Sequence, residues 1–495
     1  MRKLVNRIAS ITICFVFLFQ IGAFAERKDA SGWDLNATGA AWYSQVLASI
    51  GRTREVRVAV IDTGFTSNAS IFNGRILEGY NSSGKNHDVT DTDGHGTAMA
   101  SIIAYTTFYN SNIKIMPIKI DFNGDIAAQA FQEGIEYATR QGVDIINISI
   151  AADIRMGSAY VIEIEKAIRE AVSSGIIVVV ASGNDGKDAS GWSPARMNET
   201  VCIGSVNQKN VISSFSNYGN SLRFVAPGES VITTRPDADY HETGTSSAAA
   251  HISGIYALMK LNFPSASPAQ LEHLLKLYAT DLGEPGWDKY YGWGLPNLAI
   301  TPADTGLGSR DINNYLDMRG HWSRDAVSYL AERSILNGYL YLDNLYEFMP
   351  LGEITRAEFA AMLSRASGDT ISGRHYEISD IPSNDWFTQS TYWAYEKGIV
   401  KGYDDGEFKP HQNINRQEMA AMLVRYAGFK NTYLPKDGHF EALRDDWQIA
   451  DWAREYVYAL QRAGIINGDD AGNGRPRANA TRGESATMMY NILTR

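Results

Sequence analysis

Cysteine is almost missing from these 495 residues: there are two, Cys14 and Cys202, too few for the disulfide framework that holds small secreted folds together. Cys202 lies in the apolar run Thr200-Val201-Cys202-Ile203-Gly204 and reads as a core thiol. His-Glu-x-x-His is absent, which removes the helical zinc signature, and no metal ligand set is expected. Gly-x-Ser-x-Gly is absent as well, because Ala248 fills the last place around Ser246, which counts against an α/β-hydrolase nucleophile elbow. Positive charge is in deficit: 45 Lys and Arg against 56 Asp and Glu give a formal net charge of −11. So acidic a chain excludes general nucleic-acid binding, and any anionic partner has to be met by local cationic patches.

Long hydrophobic runs are also missing, with one exception. Residues 8–21 are apolar, follow Arg2, Lys3 and Arg7, and precede Ala23-Phe24-Ala25, a small-x-small cleavage site. This predicts a secretory signal peptide over 1–25, with no transmembrane segment once it is removed. Export without disulfides fits a bacterial envelope, at the cell wall or surface.

Within 56–206 shorter apolar runs recur at 56–61, 113–118, 143–148, 176–181 and 201–206. Runs without polar alternation suit parallel strands covered on both faces, and helical stretches at 126–139 and 161–173 separate them. The expected fold is α/β, a doubly wound parallel sheet. Ligands of such sheets sit beyond the carboxyl ends of the strands, where Asp62 and Asn184 fall. Breakers and small polar residues then predict a linker over 301–312. Beyond it the chain repeats itself: Trp322, Trp386 and Trp452 recur at spacings of 64 and 66 residues, and Gly338, Gly402 and Gly468 keep the same spacings. Three helix-loop-helix repeats are expected, at 313–368, 376–430 and 440–495, forming a largely helical array.

Three short segments carry chemistry: Val60-Ile61-Asp62-Thr63-Gly64, Asp93-Gly94-His95-Gly96-Thr97 and Gly244-Thr245-Ser246-Ser247-Ala248. Acyl transfer needs a hydroxyl nucleophile, an imidazole to move its proton and a carboxylate to orient the imidazole. Singly, Asp62 could end a strand, and His95 and Ser246 could cap helices. Together they point to one site. Ser246 opens a helix-forming stretch whose dipole favours a developing oxyanion. Asp-Thr-Gly is also an aspartic-protease signature, but its second copy, Asp304-Thr305-Gly306, lies in the linker with no strand after it. His251 reads as packed inside its helix, and His241, Asp91 and Asp93 as loop polar groups.

From about residue 42 to 298 the chain resembles the subtilisin family of serine peptidases, on Asp62-Thr-Gly, His95-Gly-Thr, Val178-Val-Val-Ala-Ser-Gly-Asn184 and Gly244-Thr-Ser246, in that order. The resemblance implies a peptidase domain over 26–300 that cleaves protein or peptide substrates. It makes Ser246 the nucleophile, His95 the general base, Asp62 its orienting carboxylate and Asn184 an oxyanion donor. No cofactor is required. The span 105–112 is short where relatives hold a calcium-binding loop, so calcium is not expected there. Only 26–36 stands where relatives carry a pro-segment, and Ser149-Ile150-Ala151-Ala152 replaces Ser-Leu-Gly-Gly beside the specificity pocket. A wall-bound scaffold with an inactive peptidase domain is the alternative these departures leave. Ser247 in place of an oxidisable Met implies peroxide tolerance.

The repeats resemble S-layer homology domains, on His321-Trp322, Gly402-Tyr403-Asp404-Asp405-Gly406-Glu407-Phe408-Lys409-Pro410 and the landmark Thr355-Arg356-Ala357-Glu358. The landmark recurs as Asn415-Arg416-Gln417-Glu418 and Thr481-Arg482-Gly483-Glu484. The family binds secondary cell-wall polymer non-covalently. Each landmark reads as a capping box, and the three arginines, beside free helix N–H groups, are expected to take an anionic glycan. The Trp and Tyr residues at helical spacing are read as core.

Overall fold

The computed structural model describes residues 32–121, 125–150, 159–236, 239–300, 310–342, 345–369, 376 and 378–495. The signal peptide, the pair Ala151-Ala152, the second Asp-Thr-Gly and residues 301–309 of the expected linker lie outside them. The chain forms two compact units, Met1–Ala303 and Asp304–Arg495.

The first unit opens with helices α1 (Trp33–Ala37) and α2 (Ala40–Ser49) and is built on seven strands in the order β2-β3-β1-β4-β5-β6-β7. These are β1 (Val56–Asp62), β2 (Tyr80–Asn81), β3 (Ile113–Lys119), β4 (Ile145–Ile148), β5 (Ile177–Ala181), β6 (Val201–Val206) and β7 (Leu222–Pro227). Every pairing is parallel. The sheet is therefore the doubly wound one that the apolar runs imply. Helices α3 (His95–Thr106), α4 (Asp125–Arg140) and α5 (Ala159–Ser173) cross between strands. An antiparallel hairpin, β8 (Val231–Thr234) with β9 (Asp239–Glu242), leads into α6 (Thr245–Asn262). α6 is buried almost throughout, Ser246 and Lys260 being its only residues that are not. Its apolar sequence suits a helix covered on all sides.

Arg75 is buried beneath the last turn of α3, donating from Nε to Ile113 O at 3.2 Å, from Nη1 to Ala104 O at 2.8 Å and from Nη2 to Thr107 Oγ1. A cation there meets the negative end of the helix dipole. Cys202 is fully buried as expected, and burial pushes its thiol up to about 12.

A further helix, α7 (Pro268–Leu277), follows in the first unit, and the second unit holds α8 (Arg324–Glu332), α9 (Arg356–Ser367), α10 (Thr388–Glu396), α11 (Arg416–Phe429), α12 (Arg454–Arg462) and α13 (Arg482–Leu493). One core runs through all three repeats, from Tyr315 through Phe359, Phe408 and Leu423 to Ile492. Three backbone hydrogen bonds join the repeats head to tail: Ile354 donates to Ala480, Ala480 to Ile414 and Ile414 to Ile354, at 3.2, 2.9 and 2.9 Å. No repeat is closed without the other two.

Candidate active site

Asp62 ends β1, fully buried, and His95 begins α3. The chain between them folds so that His95 Nδ1 donates to Asp62 Oδ1 at 2.8 Å. Two glycines make this approach possible. Gly64 has φ 119°, a left-handed value that other residues resist, and a side chain on Gly96 would stand 2.3 Å from the Gly64 carbonyl and 3.1 Å from Asp62 Cβ.

The turn before α3 is organised by Asp91, which was read as a loop polar group. It is buried; Oδ1 accepts from Thr63 Oγ1 and Gly94 N, and Oδ2 from Thr97 N and Thr97 Oγ1, at 2.6–2.9 Å. Burial works against its ionisation, but these hydrogen bonds win and hold its pKa below the ordinary value. A carboxylate accepting helix N–H groups has no sequence signature beyond its short distance from His95. Asp91 does lie in a loop, whereas His241 stands on β9.

His95 keeps 27% of its side chain exposed. Its surroundings act on the ring in opposite senses: burial opposes charging, while the charge and hydrogen bond of Asp62, with Glu242 and Asp93 behind it, favour the imidazolium. The outcome is a pKa raised to about 9. Asp62 Oδ2, buried, has no hydrogen-bond partner among the described residues, so the imidazole and the Thr63 N–H, both on Oδ1, carry the stabilisation of that charge.

Ser246 lies in the first turn of α6, whose early N–H groups have no intrahelical acceptor. Its hydroxyl donates to the Ser149 carbonyl at 2.8 Å and, among the described residues, makes no hydrogen bond to His95. Ser149 in turn donates from Oγ to the Ser246 carbonyl at 3.1 Å, and Asn147 and Ser253 extend the network at 2.7 and 2.8 Å. Asn184 accepts from Thr245 N and Oγ1, both at 2.9 Å, on Oδ1. That fixes the amide with Nδ2, its donor, beside Gly244, where a Cβ would be 3.3 Å away. Asp62 and His95 thus meet directly, and Asn184 is oriented next to the start of α6. His251 is packed inside α6 as read, its Nε2 3.1 Å from Asp34 Oδ2 of α1.

In the second unit all three landmarks form reciprocal capping boxes. The helix N–H groups beside the arginines are not free, however. Those of Arg356 and Ala357 donate to Gln412 and Pro410, those of Arg416 and Gln417 to Ala478 and Pro476, and those of Arg482 and Gly483 to Gly352 and Pro350. The neighbouring repeat consumes the donors that the anion site was to use. The guanidinium groups are engaged too: Arg356 lies 3.3 Å from Glu418, Arg416 2.5 Å from Glu484 and Arg482 3.4 Å from Glu358. Each ion pair joins the capping box of one repeat to that of another. Arg482 also lies over Tyr339 and Phe348, and Arg356 over Tyr403 and Phe408.

Beside Arg482 opens a pocket of about 240 Å³ lined by Tyr339, Glu358, Arg365 and Trp386, among others. The reading of the repeat tryptophans as core is overturned: Trp322, Trp386 and Trp452 are 61, 60 and 52% exposed. Their spacing marks a repeat position but not the face on which it lies.

An Asp-His pair at the carboxyl end of a parallel strand, a serine at a helix N-terminus and an oriented amide beside that helix start are the kinds of group that acyl transfer uses. The Subtilase family model matches residues 53–294, and the S-layer homology domain model matches 314–360, 377–420 and 445–486. Subtilisin DY of Bacillus licheniformis is 34% identical over 256 residues, covering 49% of this chain and 89% of that protein. The chain belongs to the subtilase family. It is also 33% identical over 252 residues to the extracellular serine proteinase of Thermus sp. (strain Rt41A), covering 50% of this chain and 59% of that one. With alkaline elastase YaB of Bacillus sp. (strain YaB) it shares 35% identity over 252 residues, 49% of this chain and 63% of that one. It therefore spans about three fifths of the length of these last two relatives.

Proposed function

We propose that the chain is an exported serine endopeptidase held non-covalently at the bacterial cell wall. The observation that carries the enzymatic part is the Asp62-His95 hydrogen bond, together with Ser246 in the first turn of α6 and Asn184 bound to the neighbouring Thr245. Ser246 Oγ attacks the substrate carbonyl carbon as His95 Nε2 takes its proton. Asp62 stabilises the imidazolium so formed, and Asn184 Nδ2 with the Ser246 N–H receives the oxyanion. His95 then gives the proton to the leaving amine, and the acyl-enzyme is hydrolysed by water that His95 deprotonates in turn. The resting hydroxyl has to leave the Ser149 carbonyl, and His95 has to lose its proton, before the first step. No cofactor enters the scheme, and calcium is assigned no site. A fluorophosphonate probe tests it: labelling lost in Ser246→Ala supports the enzyme, whereas a folded parent protein that never labels favours the inactive scaffold.

For the anchor, an anionic glycan of the secondary cell-wall polymer is the partner, with Arg356, Arg416 and Arg482 as contacts. With the helix N–H groups paired and the three guanidiniums already bound to glutamates, recognition has to draw on exposed groups beside them. That favours the pocket beside Arg482, where Arg365 adds a second cation and Trp386 an exposed ring. Pull-down on purified wall sacculi checks this: the Arg356, Arg416, Arg482 triple substitution lowers binding, and undiminished binding of that folded variant removes the arginines from the site.

A further inference from the structure

Arg235 ties the β8–β9 hairpin to the turn that carries His95. Its Nε donates to Glu242 Oε1 at 2.7 Å and its Nη2 lies 2.5 Å from the same oxygen. Its Nη1 donates to the Asp93 carbonyl at 3.3 Å. The stem of the side chain lies along Gly94, where a Cβ would stand 3.3 Å from Arg235 Cδ. The guanidinium is also 5.1 Å from the centre of the Tyr240 ring. Arg235 and Glu242 keep only 26 and 16% of their side chains exposed, so the pair is shielded from much of the screening that weakens surface ion pairs. Glu242 stands four residues before Ser246, and Gly94 immediately precedes His95. One side chain therefore spans the approaches to both reacting groups.

We propose that Arg235 is a positioning residue that holds the Glu242 carboxylate and the Asp93-Gly94 turn in place around His95. The inference rests on the reading of His95 as the general base. The charged groups acting on the ring come from three elements: Asp62 from β1, Asp93 from the turn before α3, and Glu242 from β9 with Arg235 bound to it. Glu242 favours the imidazolium, as Asp62 does, and Arg235 offsets part of that charge while fixing its position. Removing Glu242 leaves an unbalanced cation near the ring. Removing Arg235 leaves an unbalanced carboxylate. The two changes must act on His95 in opposite senses, which loss of packing alone does not produce.

The test is a titration of the His95 imidazole by NMR in the Ser246→Ala protein, with its resonance identified by loss in His95→Gln. In Glu242→Gln the midpoint falls by about half a pH unit or more, and in Arg235→Met it rises by a similar amount. In the Ser246 protein the acid limb of kcat/KM moves the same way, so that Glu242→Gln gains about threefold on that limb. Midpoints that stay put in both variants, or move in the same direction, overturn the proposal. If Glu242→Gln does not fold, Arg235→Met against Arg235→Lys gives the same reading: only the methionine raises the midpoint, and equal midpoints overturn it. A protein that never labels with fluorophosphonate but whose His95 midpoint moves as stated separates failure of the peptidase reading from failure of this one.

Discussion

The guanidinium of Arg482 lies 3.4 Å from the carboxylate of Glu358, 124 residues earlier in the chain, and closes a ring of ion pairs around the three repeats. Arg356 to Glu418 and Arg416 to Glu484 supply the other two links. Each glutamate also completes a capping box, so one carboxylate holds a helix start and a neighbouring repeat at once.

The links are not equal. Arg482 lies over two rings, whereas Arg416 donates to Gly474, which stands where the first repeat has Phe348, and its partner Glu484 has a second cation in Arg475 at 3.7 Å. Arg482→Ala leaves Glu358 without its cation and the Phe348 carbonyl without its donor. We expect a loss of about 2–4 kcal/mol, with Arg416→Ala about 1–2 kcal/mol milder. Hydrogen exchange of α9, α11 and α13 measures it. Equal protection in the two variants would remove the rings from the account.

His95 sets the pH dependence. Its folded pKa of about 9 lies above the ordinary 6.5, so the imidazole proposed as general base is charged at neutral pH. The acid limb of kcat/KM is expected well above the ordinary imidazole range, toward pH 9. The stability sign is opposite: the pair with Asp62 contributes fully below about pH 6.5 and is lost as the pH rises through about 9. Activity should therefore climb over the window in which this contribution to stability fades. A limb at pH 6.5, measured with a small peptide substrate, would contradict it.

Asp91 predicts an effect at the other end of the scale. Its depressed pKa means that its contribution is present above the ordinary carboxylate value of 3.8 and is lost only as the pH falls through the lower folded value. Asp91→Asn puts an amide N–H₂ against the Thr97 donors. It should cost about 2–4 kcal/mol in urea unfolding and, by loosening the seat of His95, lower kcat/KM about tenfold or more. Full activity in the variant would show that the turn holds its shape without the carboxylate.

Strands β1, β3, β4, β5 and β6 were legible because each is mostly apolar, with single polar residues such as Arg57, Lys114 and Asn147 not enough to set up an alternation. β2 has only two residues and carries no such signal, whereas β7, Leu222–Pro227, is as apolar as β1 and was passed over. Asp62, His95, Asn184 and Ser246 stood out by motif and order. Asp91 did not, because its role depends on Thr63 and Thr97 folding around it. In the repeats the arginine landmarks were visible at fixed spacing. Their partners were not: each Arg pairs with the Glu of another repeat, a non-local choice that no local pattern records.

Arg75 holds α3 at the end far from His95. The side chain is 3% exposed and burial lowers its pKa to about 10, a cost met by carbonyls of Ala104 and Ile113 and the hydroxyl of Thr107. Arg75→Leu removes the buried charge, which by itself is favourable, but leaves those acceptors without donors and the last turn of α3 without its cation. The second effect outweighs the first, and we expect a net loss of about 2–4 kcal/mol, with Arg75→Lys in between because an ammonium cannot reach all three acceptors. The first turn of α3 is fixed separately, by Asp91 and Thr63. Turnover per folded molecule, counted by fluorophosphonate titration at low temperature, should therefore stay near the parent value while the urea midpoint falls. A variant that loses turnover but not stability would show that the two ends of α3 are coupled rather than held independently.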